Sequence, residues 1–203
     1  MGHTQRVAII GAGQQGEVVW DCLTAAGHEV VGFVDDVVRR PRVGLPVVGD
    51  LDDLPPVDGV VVAIGSNAAR RAVILRLLAR GVSLLNAIHP TASIASNAQI
   101  GRGVTILAGA VVSTGTVIGD GTILDVQSVV GHHSTVGGYV HLAHAGVSSR
   151  CTVGEGAFLG IGCHVLPDLS VGAWAQCVGE AYVTKAVPDH ATVCGRPARL
   201  VAH

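Results

Sequence analysis

From residue 94 to residue 183 an apolar side chain returns every six positions: Ile94, Ile100, Ile106, Val112, Ile118, Leu124, Val130, Val136 and Leu142. After a one-residue slip the series resumes at Val147, Val153, Leu159, Val165, Val171, Cys177 and Val183. The next residue is often glycine (Gly101, Gly119, Gly131, Gly137, Gly154, Gly160, Gly172). The residue two before is usually small (Ala98, Ala110, Ser128, Cys151, Ala157, Cys163, Ala175). A sustained period of six is the hexapeptide repeat of a parallel β-helix. Three hexads make one triangular coil, with the apolar residue inward and glycine or small residues easing the corners. Stacked coils then bury a continuous core.

The first half follows a different pattern. QRVAII (5–10) reads as a buried strand leading through GAGQQG (11–16) into VVWDCLTAAG (18–27), which has helical spacing. HEVVGFVDD (28–36) is a second strand, GVVVAIG (59–65) a third, NAARRAVILRLLARG (67–81) a helix and VSLLNAI (82–88) a fourth strand. Alternating strands and helices predict a small Rossmann-like parallel α/β unit. His89-Pro90 marks the boundary, because proline restricts the residue before it. Two domains follow: an α/β unit over 1–88 and a left-handed β-helix over 89–203.

Composition fits this division. Hydrophobic residues make up 49% of the 203, glycines number 28 and aromatics only 3%. That is the chemistry of stacked coils of Val, Ile, Leu and Ala. Mean hydropathy is +0.51, yet runs such as VVVAI (60–64) fall far short of the ~18 residues that span a bilayer. With no signal-peptide pattern either, a cytoplasmic protein without membrane insertion is expected. Net charge is −2 with no basic run, so nucleic acid is not an expected partner. Five cysteines without a CxxC argue against a disulfide framework or a cysteine zinc site. Cys151, Cys163 and Cys177 occupy small or inward hexad positions and read as core residues rather than reactive thiols.

Two regions carry candidate chemistry. Gly11, Gly13 and Gly16 form GxGxxG between a strand and a helix, where backbone N–H groups can approach a phosphate. Asp35 and Asp36 end the next strand, where an acidic residue can accept from a ribose or base. An NAD site fits this pattern, although the unit is short for a two-half dinucleotide domain. Gly65, Ser66 and Asn67 make a second strand-to-helix turn, expected to line the same crevice. The other region is VVGHHSTVGGYVHLAHAG (129–146), with four of the ten histidines. His132 lies two residues after inward Val130, and His141 immediately precedes inward Leu142. Both should project from the coil.

VAIIGAGQQGEVV (7–19), GFVDD (32–36), AIGSNAARR (63–71), IHPTASIA (88–95), GHHSTVGGYVHLAHAG (131–146), GIGCHVLPDLSVG (160–172) and VTKAVPDHATVCGRPAR (183–199) occur in this order. With them the chain resembles the bacterial sugar O- and N-acetyltransferases of the sialic-acid O-acetyltransferase group. Within that group it looks most like enzymes that N-acetylate nucleotide-linked 4-amino-sugars of the bacillosamine and perosamine type. The resemblance implies a homotrimer with active sites between subunits and acetyl-CoA as co-substrate along the β-helix. It also implies a nucleotide-sugar held mainly by the α/β unit, no metal, and a place in O-antigen or glycoprotein glycan synthesis.

Acetyl transfer to an amine needs a base, donors for the developing oxyanion and two substrates held in contact. By resemblance His132 matches the family's base and His141 a second histidine near the thioester. His144 and His164 match non-catalytic positions. The family usually has a carboxylate beside the base, whereas His132 is flanked by Gly131 and His133. Asp125, where relatives tend to have Asn, is then expected to supply the missing charge across the subunit interface. Gly160 and Gly162 are expected beside the pantetheine arm, and Lys185, Arg196 and Arg199 near CoA phosphates. Relatives more often have Asn at the position of Arg196.

Other readings stay open on the sequence. Sugar O-acetylation is a variant of the first. A trimeric β-helix zinc hydrase would draw ligands from His132, His141 and His144. A non-catalytic nucleotide-sugar or NAD-binding module would use the β-helix as a trimerisation scaffold.

Overall fold

The computed structural model describes residues 4–37 and 44–201. The N-terminal unit runs β1 (Arg6–Ile10), α1 (Gln14–Ala25), β2 (Glu29–Val34), β3 (Val47–Gly49), β4 (Gly59–Val62) and α2 (Asn67–Ala79). Its four strands are parallel in the order β3-β2-β1-β4. A parallel sheet needs cover on both faces, and β1 shows why its sequence is continuously apolar. Val7 and Ile9 face α1 through Val19, Cys22 and Leu23. Ala8 and Ile10 face α2 through Ile74 and Leu77.

From Ala87 onward the chain winds as a left-handed parallel β-helix of two-residue strands. Each coil visits three faces in turn. The docking face stacks Ala87–Ile88, Thr105–Ile106, Ile123–Leu124, His141–Leu142, Phe158–Leu159 and Gln176–Cys177, and closes on Thr192–Cys194 and antiparallel Arg199–Leu200. The second face stacks Ser93–Ile94, Val111–Val112, Val129–Val130, Gly146–Val147, His164–Val165 and Tyr182–Val183. The third runs from Gln99–Ile100 to Ser170–Val171. From Ile106 to Val183 the predicted inward residues are buried, each stabilising the coil by roughly 1.5–3 kcal/mol. Cys151, Cys163 and Cys177 are buried free thiols within this core. The one-residue slip falls at the corner between Leu142 and Val147, where His144 adopts a left-handed φ of 48°. The ladder survives it, since Val130 still pairs with Val147.

Two segments differ from the sequence reading. Residues 82–88 do not form one strand. Leu84 makes a single parallel bridge to Val60, and Ala87–Ile88 already belongs to the first coil, paired with Thr105–Ile106. The apolar run therefore divides between two cores. The short edge strand β3 was not anticipated, because three residues after Pro46 carry no periodicity and their pairing with β2 is purely tertiary.

The α/β unit packs on the docking face. Leu107 and Ala87 share a core with Val19, Cys22 and Leu23 of α1, and burial pushes the Cys22 thiol up to about 12. Among the described residues no helix is long and apolar enough to cross a membrane.

Candidate active site

The glycine turn after β1 is tight. Gly11 has φ 105°, and a Cβ there would lie 2.8 Å from the Ala63 carbonyl oxygen. A Cβ on Gly16 would lie 2.2 Å from the Gly11 carbonyl oxygen, so glycine is required for α1 to meet the turn. Gly13 is the N-cap of α1 and has open space around it. The turn differs from a phosphate cradle in one respect. The Ala12 N–H donates to Asp35 Oδ2 at 2.8 Å, and Val37 N–H to Asp35 Oδ1 at 2.8 Å. A carboxylate therefore occupies the centre of the turn, where it repels a phosphate. Asp36 accepts from Leu51 N–H at 3.1 Å. Gly11, Asp35 and Asp36 line a recess of about 210 Å³ with Ile10, Ile64 and Val73.

Gly65, Ser66 and Asn67 line a different recess, of about 330 Å³, with Gly156, Phe158, Trp174 and Gln176 of the β-helix. The expectation that they share one crevice with Gly11 and Asp35 is thus corrected: the turn after β4 separates two recesses. Ser66 caps α2, accepting from Ala69 N–H at 3.4 Å. The Asn67 amide is already engaged, because it donates to the Gly156 and Ala157 carbonyls at 3.0 and 3.1 Å and accepts from Arg70 at 2.8 Å. Its role is to join the two units.

The histidines separate. His141 lies on the docking face, 8% exposed, with Nε2 3.0 Å from Asp125 Oδ2 and its ring edge-on to Phe158. His132 is exposed at the corner between the second and third faces, and its Nδ1 is 3.0 Å from Nδ1 of His133. His144 lines a groove on the second face with Val129, Gly146 and His164. Within the chain Asp125 therefore pairs with His141. The three histidines of the zinc reading do not converge within a chain, and among the described residues no three His, Cys, Asp or Glu side chains form a metal-binding group.

Three comparisons bear on what this arrangement does. The PglD N-terminal domain family matches residues 6–77. Perosamine N-acetyltransferase of Caulobacter crescentus, solved as a histidine-to-asparagine variant with CoA and GDP-perosamine, is 32% identical, covers 99% of this chain and all of its own, and superposes with a TM-score of 0.92. The acetyltransferase domain of PglB from Neisseria gonorrhoeae, solved with acetyl coenzyme A, is also 32% identical over 98% of this chain and 100% of its own, with a TM-score of 0.93. The chain belongs to the hexapeptide-repeat bacterial amino-sugar acetyltransferases. Serine acetyltransferase 2 of Arabidopsis thaliana shares 34% identity over 82 residues, so this acetyltransferase spans only 25% of that relative's length.

In this acetyltransferase the residues expected near CoA lie toward the C-terminal coils. Gly160 and Gly162 flank Ile161, which is 67% exposed at the corner between the docking and second faces. Lys185 and Arg199 border an apolar recess of about 300 Å³ made by Val183, Val187, Pro188, Val193 and Leu200. Arg196 is not part of that recess; its Nε donates to the Glu180 carbonyl at 3.1 Å. The sequence reading missed Arg70. It is fully buried and donates to the carbonyls of Ile64, Gly65, Gly121, Tyr139 and Val140, and to Asn67. The clue was the i, i+3 spacing of Asn67 and Arg70 on one face of α2.

Proposed function

We propose that this acetyltransferase moves an acetyl group from acetyl-CoA to the amine of a nucleotide-linked 4-amino-4-deoxy sugar, as a homotrimer with sites between subunits. The observation that carries this is the full-length likeness to perosamine N-acetyltransferase, whose structure holds CoA and GDP-perosamine. Acetyl-CoA supplies the acetyl group as an activated thioester. Asp35 and Asp36 suit the donors of a nucleoside rather than its phosphates. The corner at Gly160–Gly162, with exposed Ile161 and Val178, suits the pantetheine arm. Lys185 and Arg199 suit the phosphates of the nucleotide end.

The chemistry requires loss of a proton from the attacking amine. His132 projects into solvent at a coil corner, where a substrate bound by a neighbouring subunit can reach Nε2. His141, fixed by Asp125 through Nε2, presents its other nitrogen from the docking face, beside the proposed position of the thioester. No residue need form an acyl intermediate, so transfer is direct. O-acetylation would use the same groups with a hydroxyl in place of the amine.

A CoA-release assay across nucleotide-linked 4-amino-sugars, with matched hydroxy-sugars beside them, tests the reading. Wild type is expected to acetylate at least one 4-amino-sugar, with His132→Ala lowering kcat by roughly 10²–10⁴-fold. Turnover only with hydroxy-sugars would move the reading to O-acetylation, and turnover with neither would overturn it.

A further inference from the structure

We infer that His133 is the positioning residue for His132, accepting the Nδ1–H of His132 on its own Nδ1 and thereby leaving Nε2 of His132 as the open base. The inference rests on the base assignment proposed above and asks what holds that base.

The two Nδ1 atoms are 3.0 Å apart, and the rings meet edge to face at 83°. At that distance one nitrogen carries the hydrogen and the other the lone pair. If His132 were the acceptor, its Nε2 would hold the hydrogen and could take no proton from an amine. Only the opposite assignment leaves His132 competent. Among the described residues this contact is the sole side-chain hydrogen bond of either ring. Among the described residues of the chain no carboxylate takes its place.

His133 is built to stay where it is. Its backbone is left-handed, with φ 57°, and its N–H donates to the Thr114 carbonyl at 2.9 Å. Its ring lies on Gly115 of the preceding coil: a Cβ there would come within 2.9 Å of Cδ2 and 3.2 Å of Nε2. Tyr139 over Gly121 and Trp174 over Gly156 repeat this packing at another corner. Neither of those rings is followed or preceded by a second ring. At residue 133 the same seat turns Nδ1 onto the neighbouring imidazole.

The surroundings carry little competing charge. The preceding coil presents Thr114, whose hydroxyl donates to Asn97 of the coil before it at 2.8 Å. The following coil presents Ser149 and Arg150, whose N–H donates to the His132 carbonyl. The Arg150 guanidinium is held bidentately by Asp168 at 2.6 and 2.7 Å. The tautomer of His132 is therefore set by His133.

Long-range proton–nitrogen correlation on the ¹⁵N-labelled full-length protein, at a pH where both rings are neutral, reads the tautomers with no substitution. The expected spectrum has His132 protonated at Nδ1 and bare at Nε2, with His133 the reverse. In His133→Ala the bias of His132 should be lost. Its kcat should fall about 10- to 100-fold with KM for both substrates nearly unchanged, and His133→Glu, which restores an acceptor, should recover most of kcat. The opposite tautomer in wild type overturns the inference. So does wild-type kcat in His133→Ala while His132→Ala is inactive, a result that leaves the base assignment standing. Wild-type turnover by His132→Ala would instead remove the base assignment, and the inference with it.

Discussion

Asp125 and His141 are sixteen residues apart yet in contact at 3.0 Å. The β-helix explains this. Residues one coil apart stack, so His141 lies beside Ile123 and its ring reaches diagonally to the corner that follows Leu124. A carboxylate accepting from Nε2–H fixes the orientation of the ring and aims Nδ1 away from Asp125. An asparagine in its place would hold that orientation less firmly, because its amide can donate as readily as accept. Asp125→Asn is therefore expected to lower kcat about tenfold while leaving KM for the nucleotide-sugar unchanged, in steady-state kinetics with acetyl-CoA saturating. Wild-type kcat would remove this role. That His132 and His141 project outward was legible from hexad phase. Their partners were not, because phase orients a side chain without saying which neighbour one coil away has the length to reach it.

At the scale of elements, α2 is held to the β-helix by a buried cation without a carboxylate. Desolvation lowers Arg70 to about 10, and carbonyl oxygens compensate from both units. Arg71 adds to the junction through Glu155 at 2.9 Å and by lying over the Tyr139 ring. Lysine cannot reproduce the planar fork, and each buried acceptor it abandons costs ~1–3 kcal/mol. Arg70→Lys should therefore lower stability by roughly 3 kcal/mol or more in urea unfolding. An unchanged midpoint would mean that the junction does not depend on the fork. The strands and helices themselves were largely readable, because β1, α1, β2, β4, α2 and every hexad carry their own periodicity. The exceptions are those whose partner is decided elsewhere: β3, which exists only as an edge on β2, and residues 82–88, which divide between the α/β core and the first coil.

At the scale of the molecule, His132 and the Asp125–His141 pair lie at opposite edges of the second face, each with its ring held by a neighbour within its own edge. One chain cannot bring both to one acetyl group. In the proposed homotrimer a neighbouring chain would: packing around a threefold axis would set the corner carrying His132 against the docking-face edge of the next subunit. Val129, exposed on the second face, gives that face apolar surface that such packing would bury. Sedimentation should accordingly give three times 20.6 kDa. The stronger check is complementation. His132→Ala and His141→Ala chains, each deficient alone, are co-expressed and allowed to mix at random. If a site takes His132 from one subunit and His141 from the next, about a quarter of all sites are then intact, and activity returns to about that fraction of wild type. If both histidines served from the same chain, mixing would restore none of it.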